Sequence, residues 1–147
     1  LKTFKPYAAF IAAIRKDLAI ENVLIVFDWQ DVSELTEGYT GYNDNKPFDI
    51  YVNPALKKER MFFVLAHELC HVWQFSSGYL KTYPYGKTHW MGYWYTMINA
   101  QVAAIDKGYE AFYAEYQAQP WESHANAYAR YAYELFLPLN SNKGKNV

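Results

Sequence analysis

Between Met61 and Gly78 the chain reads MFFVLAHELCHVWQFSSG, an apolar stretch without proline and without glycine before Gly78. Set into it are His67, Glu68 and His71 in the spacing H-E-x-x-H. The stretch predicts one buried helix, on which residues four apart share a face, so the imidazoles of His67 and His71 can meet on a single ion. Glu68 stands one position round. It is close enough to touch a water on that ion and badly placed to bind the ion itself. Two imidazoles on a metal beside a carboxylate that accepts a proton from water is what a zinc hydrolase needs. The flanks sharpen the inference: three unpaired polar groups in so apolar a helix would each cost on the order of a few kcal/mol of desolvation, and a metal ion removes that cost.

Composition narrows the rest. With 147 residues and 52% hydrophobic content, the chain predicts a single domain over residues 1–140 with a real core, followed by a polar, disordered tail over 141–147. The net charge of -1, with the two signs dispersed, supplies neither a basic stripe nor a polybasic patch, so direct nucleic-acid binding is disfavoured. No apolar run approaches membrane-spanning length, and LKTFKPYAAF at the amino end lacks a signal-peptide pattern. The expectation is a soluble, cytoplasmic protein. One cysteine, Cys70, rules out an internal disulfide and reads as a small core residue. Fifteen Tyr and five Trp exceed what one small core can hold, so several must line a groove or the surface.

Along the chain, Thr3 and Pro6 open an amphipathic helix that carries Tyr7, Phe10, Ile11, Ile14 and Leu18 at helical spacing. Asn22 to Trp29 predicts a buried strand, and Asp31 to Asn45 a loop with a short strand around Tyr39. Phe48, Ile50 and Val52 alternate with polar positions, a strand pattern closed by Asn53-Pro54, where Asn53 can cap the motif helix and Pro54 can be its first residue. That strand is either an edge lying along a substrate cleft or an interior strand of a small sheet. Residues 79 to 96 read as irregular or hairpin-like, Met97 to Asp106 and Glu110 to Gln117 as short helices, and Pro120 onward as the last strong helix, ending before Pro138. The fold class is α+β: a small, mostly antiparallel sheet packed on the motif helix, with further helices after it.

A catalytic zinc usually takes three protein ligands. A glycine three residues after His71 and a histidine three beyond that would mark the metzincin pattern, and Gln74 and Ser77 stand there instead. Glu122 is the first candidate: it begins a helix with Asn126 four residues on and Ala125 and Ala129 on nearly the same face, which joins a carboxylate ligand, close helix approach and an amide to orient a ligand histidine. This resembles the gluzincin peptidases, whose second motif is a glutamate followed four positions later by an acid; here Asn126 replaces the acid. HELCHVWQ, WMGYWY at Trp90 to Tyr95, and Tyr116 followed by QAQPWESHA are also similar to small metallopeptidase-like proteins common in bacteriophage genomes. The second candidate is His89. Followed by Tyr93 four on and Met97 eight on, it resembles the third-ligand histidine of SprT-like metallopeptidases, though without their glycine after the histidine.

Gln74 lies on the histidine face and can hydrogen-bond a ligand or a substrate carbonyl, while His124 is expected to face away from Glu122, near Tyr128 and Tyr131, in a packing role. The oxyanion donor is expected to be a Tyr or His that the sequence does not single out. The resemblance implies a zincin-like zinc metalloendopeptidase acting on a peptide or protein, with Zn2+ on His67, His71 and Glu122 or His89, Glu68 as general base, and the cytoplasm, including that of a phage-infected host, as its place. A different class stays open: an inactive peptidase-like binding module, or a domain in which zinc only staples two helices. Oligomeric state is not legible.

Overall fold

In a computed structural model, which describes residues 5–29, 36–42, 46–96 and 108–142, the expected α+β architecture is built around the motif helix. A 3-10 turn at Lys5–Tyr7 leads into α1 (Ala8–Asp17), which turns Phe10, Ile11 and Ile14 inward. Arg15 ties down the turn after the helix by donating to the carbonyl oxygens of Glu21 at 3.1 Å and Val23 at 2.7 Å. Three strands then form one sheet in the order β1-β3-β2: β1 (Ile25–Asp28), β2 (Gly38–Gly41) and β3 (Phe48–Val52). The β1 and β3 strands run parallel, Ile25 opposite Phe48, and β2 runs antiparallel to β3, Thr40 opposite Ile50.

The alternation read at Phe48, Ile50 and Val52 is the buried face of β3, which is the interior strand of this sheet. The edge beside the motif helix is β2 instead. The buried strand expected over Asn22 to Trp29 is shorter and wetter: β1 lies at the other edge, and Leu24 and Val26 are exposed because only one face of an edge strand meets the core.

Asn53 does not cap the motif helix, and Pro54 is not its first residue. The Asn53 side chain accepts a hydrogen bond from the Ala55 N–H at 2.9 Å and donates to Thr36 O at 3.3 Å, so a local turn uses it up. The helix α2 (Lys58–Ser76) begins five residues later. Its Met61, Leu65, Leu69 and Val72 are wholly buried in the main core, with Phe10 and Ile14 of α1 and Ile50 and Val52 of β3. Gly78 stops the helix with φ +81°, a left-handed conformation that glycine enters without a side-chain penalty.

The stretch read as irregular or hairpin-like is a second, antiparallel sheet of β4 (Leu80–Thr82), β5 (Lys87–Trp90) and β6 (Tyr93–Thr96). Met91 and Gly92 close its β5–β6 hairpin, both with positive φ, as a tight primed turn demands. Leu80 and Trp90 of this sheet pack on Trp121 as a small second core. The strands therefore divide between two sheets, and their pairings are antiparallel except for β1 with β3. Two helices complete the described chain, α3 (Tyr109–Gln117) and α4 (Pro120–Asn142). The helix read from Met97 to Asp106, the Thr3 cap and residues 143–147 of the tail lie outside the described residues. The last helix does not end before Pro138; it continues through it to Asn142, which costs one backbone hydrogen bond to the carbonyl of residue 134 near a helix end.

α4 lies along α2, with Ala125, Ala129 and Ala132 wholly buried between helices, so small side chains allow the two backbones a close approach. On the other side of α2, Gly38 of β2 is what lets the sheet approach: a Cβ there would stand 2.8 Å from Tyr51 O and 2.9 Å from a Val64 methyl. Gly38→Ala is therefore expected to lever β2 off α2 and to destabilise the fold by about 1–3 kcal/mol, the usual cost of overpacking. Urea denaturation measures this, and an unchanged midpoint would contradict the packing described.

Candidate metal centre

His67 and His71 stand one helical turn apart on α2, and their Nε2 atoms are 3.0 Å from each other. From α4, Glu122 brings Oε2 to 2.9 Å from His67 Nε2 and 3.2 Å from His71 Nε2. Three donor atoms thus close a triangle in a pocket where Glu122 is only 2% exposed and His71 7%. Ligand bonds of about 2.0–2.1 Å in tetrahedral array hold neighbouring donor atoms about 3.3 Å apart, so the triangle has the size a small divalent ion requires.

The outer hydrogen bonds say which form the imidazoles take. Gln74, wholly buried on α2, donates from Nε2 to the Trp121 carbonyl at 2.9 Å, and a carbonyl can only accept. The amide oxygen of Gln74 must then face His71 Nδ1, 2.7 Å away, which makes Nδ1 the N–H and leaves the Nε2 lone pair pointing into the triangle. Asn126 repeats the device from α4: its Nδ2 donates to Gln117 at 2.8 Å, and its Oδ1 accepts from His67 Nδ1 at 2.8 Å. Two lone pairs and a carboxylate facing one another call for a cation.

Without a metal, a proton takes that place. Burial pushes His71 down, but its hydrogen bond to Glu122 and the charges of Glu68 and Glu122 more than reverse this and raise it to about 9. Burial likewise pushes Glu122 up, and the hydrogen bonds from His67 and His71 overrule it, holding the carboxyl well below the usual range.

Glu68 is buried beside the triangle and takes no part in it. Its Oε2 accepts from the Thr40 hydroxyl of β2 at 2.6 Å. Tyr116 of α3 completes the wall: burial first, then the charge of Glu122 and its hydrogen bond with it, push the phenol far above its ordinary value, so it remains an O–H donor. The centre sits between two lobes of a cleft, about 450 Å3 and about 210 Å3, which share Gly38, Tyr39, Glu68, Tyr116 and Glu122.

Residues singled out in the sequence fall in different places. His67, His71 and Glu122 converge, with Gln74 and Asn126 behind them and Glu68 alongside. His89 lies on β5, its ring edge-on to Trp94 at 5.0 Å, outside that group. The ring contacts of His124 are made toward α2, with Trp73 and Trp90 at 5.6 and 5.5 Å, and its Nδ1 is 2.9 Å from Gln74 Nε2. The second sheet carries Trp90 to that side of α4, a long-range placement that helix periodicity does not contain. Burial raises the Cys70 thiol to about 12, as suits a packing residue. No motif in the sequence marks Thr40 or Gln117; for Thr40 the only signal is the short strand expected around Tyr39.

The family model described as "Putative metallopeptidase family (DUF6782)" matches residues 28–133. The chain belongs to that family. The matched span contains every side chain of the centre, from Thr40 through Asn126, so membership in a family of metallopeptidase type and a possible metal site of two histidines and a glutamate are found over the same residues. No curated protein and no solved structure matches the chain.

The protonated, metal-free site carries a signature in pH. His71, raised above its unfolded value, contributes stability fully below about pH 6.5 and loses it as pH rises through about 9, whereas the depressed Glu122 contributes fully above its unfolded value near 4.5 and loses that contribution as pH falls further, so only His71 varies between pH 6.5 and 9. A metal ion substitutes for the proton and binds better as the proton leaves. The difference in melting temperature between metal-loaded and metal-free protein should accordingly widen from pH 6.5 to 9. Calorimetry of both forms checks this; a difference that is flat with pH contradicts the site.

Proposed function

We propose that this chain is a zinc metalloendopeptidase of gluzincin type, with zinc on His67, His71 and Glu122 and with Glu68 as general base. The observation that carries the reading is the convergence of two lone pairs, each fixed by an amide behind it, with a carboxylate, beside a buried glutamate that is not a donor to the triangle. A set of two imidazoles and one carboxylate suits zinc, whose catalytic sites use three such ligands. When bound, zinc supplies Lewis acidity and lowers the pKa of a water molecule toward neutrality.

The chain's own groups do the rest. Thr40 holds one oxygen of Glu68, which leaves Oε1 to take a proton from the attacking water and later return it to the leaving amine. Tyr116, an O–H donor lining both lobes, is the group we assign to stabilise negative charge on the scissile carbonyl oxygen. Among the described residues β2 pairs on one side only, with β3, so its other edge can receive an extended peptide through backbone hydrogen bonds. A cleft open on both sides of the centre suits a bond inside a chain rather than at its end. Asn126, in place of the gluzincin acid, orients His67 without adding charge.

Replacing the third ligand tests the metal assignment. Glu122→Ala is expected to lower zinc affinity by more than the roughly 10- to 100-fold typical for loss of an outer hydrogen-bond partner, and His89→Ala to leave it nearly intact. Titration against a chelator decides; the opposite result moves the ligand to His89. Chemistry is tested separately. Glu68→Gln, loaded with zinc to the wild-type level, should keep its fold and cleave a diverse peptide library roughly two to four orders of magnitude more slowly. Turnover that survives the substitution would remove Glu68 from the role.

A further inference from the structure

We infer that the larger lobe of the cleft contains a subsite for a carboxylate, read by Arg130, so that the favoured substrates carry an acidic group on one side of the scissile bond; this rests on the peptidase reading. Glu122, Asn126 and Arg130 are four and eight residues apart on α4 and form one stripe facing the lobe. The stripe therefore presents, in order, a donor of the metal triangle, the amide that holds His67, and a guanidinium. Eight residues of helix advance about 12 Å, the span of roughly three to four residues of extended peptide, and the length of the arginine side chain shortens that reach.

The charges lining this lobe are otherwise spoken for. Arg60 is locked to Glu37 by two hydrogen bonds of 2.6 and 2.7 Å, and its guanidinium lies over Phe63 at 4.7 Å. Glu122 is held by the histidines and Glu68 by Thr40. Arg130 is exposed, and among the described residues no carboxylate lies within ion-pair distance of it, Glu134 one turn further along the helix included. Among the described residues the smaller lobe is lined by no lysine or arginine, and Phe75, Leu80 and Trp121 form its apolar side. Among the described residues the cleft is thus polarised along its length, with an unpaired cation on one side of the centre. A planar fork of donors at that position matches a carboxylate in two parallel hydrogen bonds, which neither an amide nor an apolar side chain offers.

The carboxylate can be an Asp or Glu side chain or the end of the peptide, and one experiment separates them. Peptide hydroxamates are prepared in matched pairs, Glu against Gln at each of the four positions on either side of the metal-binding group, and a free against an amidated carboxyl end. Binding to the zinc-loaded full chain is measured for wild type, Arg130→Gln and Arg130→Glu. In wild type, one carboxylate position should tighten binding over its carboxamide by about tenfold or more, a factor that corresponds to about 1.4 kcal/mol. Arg130→Gln should erase the preference, and Arg130→Glu should reverse it, so that Gln at the same position binds better than Glu. The arm that responds identifies side chain or terminus. If hydroxamates bind with no preference for a carboxylate, or with one that Arg130→Gln leaves intact, the subsite is wrong and the peptidase reading stands. If no hydroxamate binds the zinc-loaded chain, the peptidase reading fails and takes the subsite with it.

Discussion

Everything at the centre depends on how closely α4 can lie against α2. The histidines belong to one helix and Glu122 to the other, and a carboxylate has a short side chain with which to bridge two backbones. The alanines at 125, 129 and 132 keep that interface thin, and they are wholly buried. A larger residue at 125, one turn from Glu122, would hold the helices apart and open the triangle by more than any side-chain rotation could recover. Packing and chemistry are the same contact here. Once the helices are so close, the polar groups between them are out of water and must satisfy one another, which is why Gln74 and Asn126 each use both ends of their amides.

The second constraint comes from the sheet. Gly38 brings β2 against Val64, and two residues on, Thr40 reaches both the carboxylate and the carbonyl of Glu68. The strand edge that borders the cleft is therefore tied to the residue proposed as the base, and a peptide laid along that edge is placed in register with Glu68 by backbone geometry alone. Precision of this kind is what lowers the entropic part of a barrier, since the reacting groups are positioned before reaction begins.

These two constraints explain what was legible in the sequence. His67, Glu68 and His71 lie within a single helical turn, where spacing alone dictates which side chains share a face, and the α+β class follows from equally local periodicities. Glu122 was visible because it opens a helix behind a proline and has a polar residue four positions on, though His89 answered to a comparable pattern and only the packed chain separates their positions. Thr40 and Tyr116 depend on contacts across 28 residues of chain in one case and on a choice among fifteen tyrosines in the other. No local pattern carries that information. Asn53 misled for a related reason: the side chain that caps helices also makes turns with its own backbone, and the strand–helix junction selected the turn.

The two amides also bear on how the centre would hold its ion. A carboxylate behind a ligand histidine draws on its N–H, makes the imidazole a stronger donor and adds negative charge nearby. Gln74 and Asn126 orient His71 and His67 just as firmly but stay neutral. Among the described residues the negative charge beside the triangle then comes from Glu122 and Glu68, which together balance a divalent ion. Less electron donation leaves a bound ion a stronger Lewis acid and less tightly held, an exchange that favours chemistry over staple. A purely structural zinc would gain nothing from weaker donors, and it would have no use for a buried glutamate hydrogen-bonded to a threonine beside the triangle. The choice of amides over acids thus points the same way as Glu68, by an independent physical route.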